Sequence, residues 1–209
     1  MVEKLTTGTV KRMLEWSYDQ ALASHGPIDG AVDLAESYKG QSGTLREDAN
    51  SLIRWQNVKA GTSGFIAGVP GLTAMPISLP ANLTSVLFIQ IRMIAAIAHL
   101  GGYDLRDDRV KTLCFVCLCG NGARAILKNV GIEMGRKMAT AALKRLPGRV
   151  FIEINKKVGT RLLTKFGEKG IINVGRAIPF MGGFIGGTVD LAWTNAVGNQ
   201  ARDTFTPDR

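Results

Sequence analysis

The chain has 209 residues, of which 45% are hydrophobic and 21% charged, and its mean hydropathy is +0.09. That composition excludes a disordered chain, and the length suffices for one core without disulfide or metal support, so a single domain over residues 1–209 is expected. The net charge of +9 lies in one block: residues 124–176 carry 13 basic and 3 acidic side chains, against 11 and 11 in residues 1–123 and 2 and 3 in residues 177–209.

A localised basic surface calls for an anionic partner. The block holds only two aromatics, Phe151 and Phe166, and no zinc-finger, homeodomain or base-stacking pattern. Those absences point away from nucleic acid and toward an anionic membrane surface or lipid. Glycine is abundant, at 25 residues. That is about 12% of the chain against a usual value near 7%, which fits turns and close helix packing.

In chain order, Val10, Met13, Leu14, Ala21 and Leu22 recur at helical spacing. They predict an amphipathic helix over 9–24, within an N-terminal region 1–24 peripheral to the bundle. His25-Gly26-Pro27 stops it. A short helix follows over 28–38, then a turn-rich break at 39–43. Thr44 with Glu47 three residues on forms a capping-box pattern, which predicts a helix to about residue 60. Residues 60–91 carry no charge, and glycines and prolines at 61, 64, 68, 70, 71, 76 and 80 prevent a continuous helix over 60–80. A helix from Pro80 to Leu100 ends at Gly101-Gly102. Asp107-Asp108 opens the next, which holds Cys114, Cys117 and Cys119 and ends at Gly120. A longer helix to Leu146 and another over Val150–Phe166 follow, then a loop over 167–175. The last helix runs from about Pro179 to Gly198. The expected class is all-α, a compact bundle of seven to nine helices with a buried glycine-rich C-terminal helix.

The first 25 residues contain no apolar stretch of the kind a signal peptide needs. Three cysteines clustered in an apolar run argue against a secreted disulfide framework. Cys114 and Cys117 have the C-x-x-C spacing, but zinc takes four ligands and the two histidines, His25 and His99, add none at a usable distance. The cysteines therefore read as small buried hydrophobes. No metal and no cofactor are expected. Neither G-x-S-x-G, H-E-x-x-H nor a phosphate-binding glycine loop is present, so no catalytic residues are assigned.

Two segments reach bilayer-spanning length, Ala81–Leu100 and Ile178–Asn199. They carry Arg92 and Asp190 near their centres, each worth about 2.5–3.5 kcal/mol against insertion, so each segment is marginal alone. Gln90, Arg92, Asn155 and Asp190 are the candidate functional polar residues of an apolar interior, with Arg92 and Asp190 expected to pair. Gly182, Gly183, Gly186 and Gly187 give two overlaid G-x-x-x-G spacings, a helix-packing face. Lys157, Arg161, Lys165 and Lys169 fall at i+4 spacing, with Lys156 beside them, and Val150, Ile154, Val158, Leu162 and Phe166 form a parallel apolar row. This suits a helix lying in a membrane interface and equally a solvated face over a bundle core.

Several ordered blocks extend the reading. They include Gly64-Phe65-Ile66-Ala67-Gly68, Gln90-Ile91-Arg92-Met93-Ile94, His99-Leu100-Gly101-Gly102-Tyr103-Asp104, Thr164-Lys165-Phe166-Gly167-Glu168-Lys169-Gly170 and the run from Ile178 to Asp190. Over roughly residues 20–206 the chain resembles the bacterial EcsC family. The resemblance implies a cytoplasmic helical protein peripheral to the inner membrane, with a membrane transporter as a candidate partner. It brings no catalytic residues. Three function classes stay open: a non-enzymatic membrane- or lipid-binding protein, a lipid or acyl hydrolase, and a pore-forming protein.

Overall fold

The computed structural model describes residues 6–24, 28–61, 81–129, 146–166 and 184–206. Within them lie eight α-helices and one 3-10 turn: α1 Thr7–Leu22, α2 Ala31–Glu36, α3 Leu45–Gly61, α4 Ala81–Leu100, α5 Asp108–Cys117, the turn Gly120–Gly122, α6 Ala123–Lys128, α7 Gly148–Phe166 and α8 Phe184–Phe205. The chain is all-α, as its periodicity predicts, and no strand occurs among the described residues.

Helix α4 is the axis of the bundle. Every residue from Leu87 to Ala98 is buried, so the helix needs protein on all sides. The others supply it: α1, α2, α3, α5 and α8 all contact α4. Helix α1 is built into this core rather than lying apart. Met13, Leu14, Tyr18 and Ala21 are buried, and the Tyr18 hydroxyl donates to the Leu105 carbonyl at 2.8 Å.

Local signals explain most helix ends. The Glu47 amide donates to Thr44 Oγ1 at 3.2 Å and the Thr44 amide to Glu47 Oε2 at 3.0 Å, a complete capping box at the start of α3. Asp107 caps α5 by accepting from the Arg109 amide at 2.8 Å. Gly102, at φ 81°, takes the left-handed conformation that closes α4.

The last helix departs from expectation. It continues seven residues past Gly198, to Phe205. Gly198 is no stop signal but a contact point: a Cβ there would lie 2.8 Å from Ile53 Cγ1, so its absence lets α3 and α8 approach closely. The Asn57 amide group donates to Asn195 Oδ1 at 3.1 Å and Arg46 to Asp203 Oδ1 at 2.9 Å, so α3 and α8 run antiparallel. Gln90 meets Thr194 at 3.1 Å and Gly101 abuts the Phe205 carbonyl, so α4 and α8 run parallel. Lys165, near the end of α7, lies over Trp193, midway along α8. The α3–α8 and α4–α8 registers bring the C-terminal end of α3 and the N-terminal ends of α4 and α8 to one end of the bundle.

Two glycine substitutions should act in opposite directions. Gly198→Val should lower stability by about 1–3 kcal/mol through overpacking. Gly159→Ala lies inside α7, where an added Cβ meets nothing within 4 Å, and should raise it by about 0.5–1 kcal/mol. Urea denaturation measures both; a neutral Gly198→Val would contradict the close α3–α8 approach.

Candidate functional site

Helix α7 has two faces. Ile154, Val158 and Leu162, four residues apart, are buried, against the α1, α5 and α6 side of the bundle. Arg149, Lys156, Arg161 and Lys165 are exposed. Ile154, Val158 and Leu162 of the apolar row thus belong to the protein core, Val150 is half-buried, and the side chain of Phe166 lies outside the described residues. The three buried residues are not available to a bilayer, because the core has already taken them.

The basic face borders a groove of about 1090 Å3 between α7, α8 and residues 118–129. Lys156, Lys157, Arg161 and Lys165 line it beside one carboxylate, Glu153. Glu153 pairs with Lys157 at 2.8 Å, and the hydrogen bond from Lys157 holds its carboxyl below the ordinary range. The groove therefore keeps a positive excess. Lys169, the fifth basic residue of the expected set, lies outside the described residues.

The apolar wall comes from Leu118, Ile126, Leu162, Ala192, Trp193 and Ala196. Trp193 is fixed at both ends: its Nε1 donates to the Leu118 carbonyl at 3.2 Å, and Lys165 Nζ lies 3.4 Å from its ring centroid, a cation–π contact. The Arg161 guanidinium lies against Gly122, where any Cβ would overlap it.

The described core polar candidates, Gln90, Arg92 and Asn155, do not form one site. Gln90 and Arg92 are two positions apart on α4, about 200° around the axis. Gln90 faces α8, donating to Thr194 Oγ1 at 3.1 Å. Arg92 faces the other way, donating to the Asp29 carbonyl at 3.0 Å and to Gln56 Oε1 at 3.4 Å; burial lowers its pKa. Asn155 is exposed rather than interior. It lines a separate pocket of about 560 Å3 with Lys11, Asp107 and Phe151, because the register of α7 turns it away from the Ile154 face. The side chain of Asp190 lies outside the described residues. The described partners of Arg92 are therefore the Asp29 carbonyl and Gln56. Gly182 and Gly183 also lie outside the described residues. Gly186 and Gly187 fall in the first turn of α8, and their surroundings are likewise outside.

Cys114 and Cys117 are buried in α5, and Cys119 is half-buried at the groove. Burial pushes the Cys117 thiol up to about 12. It pushes Cys119 to about 12 as well, against the opposing pull of Arg161 and Lys165. Protonated thiols are poor nucleophiles and poor ligands, and no metal-binding group occurs among the described residues. No single helix among the described residues is long and apolar enough to cross a membrane; α5 with Gly120–Lys128 passes only as a pair bent by 118°.

Sequence alone did not reveal the groove. It is assembled from three distant segments, and its local trace is the basic row Lys156, Lys157, Arg161 and Lys165; nothing in the sequence marks the Trp193 wall. No family model, curated protein or solved structure matches the chain.

The raised thiol pKa values imply slow chemistry. At pH 8 the native protein should show no fast-reacting thiol toward an aromatic disulfide reagent and three once unfolded. A rapid native thiol would contradict the buried, protonated state.

Proposed function

We propose that this protein is a non-enzymatic, membrane-associating helical domain that binds an anionic membrane surface through the basic face of α7 and the adjoining end of the bundle. The observation that carries the reading is the excess of cations on the exposed side of α7 beside an apolar groove. Each such cation near an anionic leaflet is worth about 1 kcal/mol.

Topology supports the same face. The ends of α3, α4 and α8 that meet at one end of the bundle border the uncharged sequence 60–91 and the uncharged sequence 177–189. On α3, toward that end, Trp55 and Val58 are 50% and 57% exposed, an amphipathic-to-apolar edge of the kind found at membrane interfaces. The resemblance to the EcsC family points the same way: a cytoplasmic protein peripheral to the inner membrane, with a transporter as candidate partner. Hydrolysis is the weaker reading, since Gln90, Arg92 and Asn155 face three different directions. Pore formation is weaker too, since α4, the most apolar helix, is enclosed by the bundle.

Liposome flotation tests the proposal. At about 0.15 M salt, where screening leaves close charges effective, the protein should float with vesicles containing about one-third anionic lipid and not with zwitterionic ones. Combined Lys156→Glu, Arg161→Glu and Lys165→Glu should cut partitioning by about a hundredfold or more, given three cations at about 1 kcal/mol each. Absence of flotation, or equal flotation with zwitterionic vesicles, would overturn it.

A further inference from the structure

We propose that the groove between residues 118–129, α7 and α8 binds one molecule of a single-chain anionic amphiphile. Arg161 and Lys165 would hold its phosphate or carboxylate head, and its chain would lie along the apolar wall. The inference rests on the membrane reading only for where such a ligand comes from.

The groove is of ligand size: its volume of about 1090 Å3 lies near the upper end of small-molecule pockets, about 300–1,000 Å3. Its chemistry is divided. On the α7 side four cations face one carboxylate, and on the other side the wall is Leu118, Ile126, Trp193 and alanines. A purely polar anion would leave that wall wet, and a neutral lipid would gain nothing from the positive excess of the α7 side. A ligand with one anionic end and one apolar body matches both.

The head site is pre-arranged. Arg161 offers a planar fork suited to two oxygens of one phosphate or carboxylate. Its guanidinium has settled on Gly122, where only a residue without Cβ leaves room. Lys165 is held over the Trp193 ring. The same contact argues against a nucleotide: the Trp193 face toward α7 is covered by an ammonium and its Nε1 is bonded to Leu118, so no open aromatic plane faces a base on that side. Half-buried Cys119 adds a neutral, weakly polar contact to the wall.

The test uses the full chain with Trp16→Phe and Trp55→Phe, so that emission reports Trp193 alone. The probes are dodecyl phosphate below its micelle-forming concentration, dodecyl maltoside and inorganic phosphate. Saturable change with dodecyl phosphate only is the expected result. Arg161→Ala should weaken it at least tenfold. Gly122→Ala, which displaces only the mobile end of Arg161, should weaken it with little change in stability. Ala192→Phe, at an exposed position on the groove wall, should abolish it while flotation on anionic vesicles persists. Equal responses to the maltoside or to phosphate, or saturable binding untouched by Ala192→Phe, would overturn the groove proposal. Flotation without saturable amphiphile binding would also overturn it. Saturable binding without flotation would support the groove and count against the membrane reading instead.

Discussion

From Leu87 to Ala98, α4 presents no face that water can solvate, and the bundle is arranged around that constraint. An apolar helix buried on all sides must be wrapped, and the wrapping helices must each turn an apolar stripe inward. Helices α1, α3 and α8 do so directly. Helix α7 sits one shell further out, against α1, α5 and α6, so its Ile154–Val158–Leu162 stripe is buried while Arg149, Lys156, Arg161 and Lys165 remain outside. The burial of α4 and the exposure of the basic face are two consequences of one packing order.

The same constraint governs the polar groups on α4. Gln90 and Arg92 can exist in that environment only with partners, since an unpaired buried charge is strongly destabilising. They find them on different neighbours, Thr194 of α8 on one side and Gln56 of α3 with the Asp29 carbonyl on the other. Polar residues on one helix are therefore not a site by virtue of being near in sequence. They read as ties that fix the rotation of α4 against α2, α3 and α8.

Much of the fold was legible because its signals are local. The Thr44–Glu47 capping box, the Asp107 cap and the glycine pair ending α4 all act within a few residues of their own position. The end of α8 was not legible. Gly198 looks like a terminator, and only the presence of Ile53 across the α3–α8 contact reveals why glycine is needed there. The apolar row of α7 was ambiguous for a deeper reason: a protein core and a bilayer are both apolar, and periodicity cannot distinguish them. The groove was invisible because Gly122, Arg161 and Trp193 meet only in three dimensions, although the basic residues lining it stand out in the charge pattern.

The proposed orientation turns the bundle end where α3 finishes and α4 and α8 begin, together with the basic face of α7, toward an anionic membrane. Fluorescence quenching by brominated acyl chains in anionic vesicles tests it most directly. In a chain with its three tryptophans replaced by Phe, a probe is placed by Val58→Trp at that end or by Lys39→Trp beside His99 at the other. The account predicts strong quenching of the first probe and little of the second. Equal quenching, or stronger quenching at position 39, would contradict it.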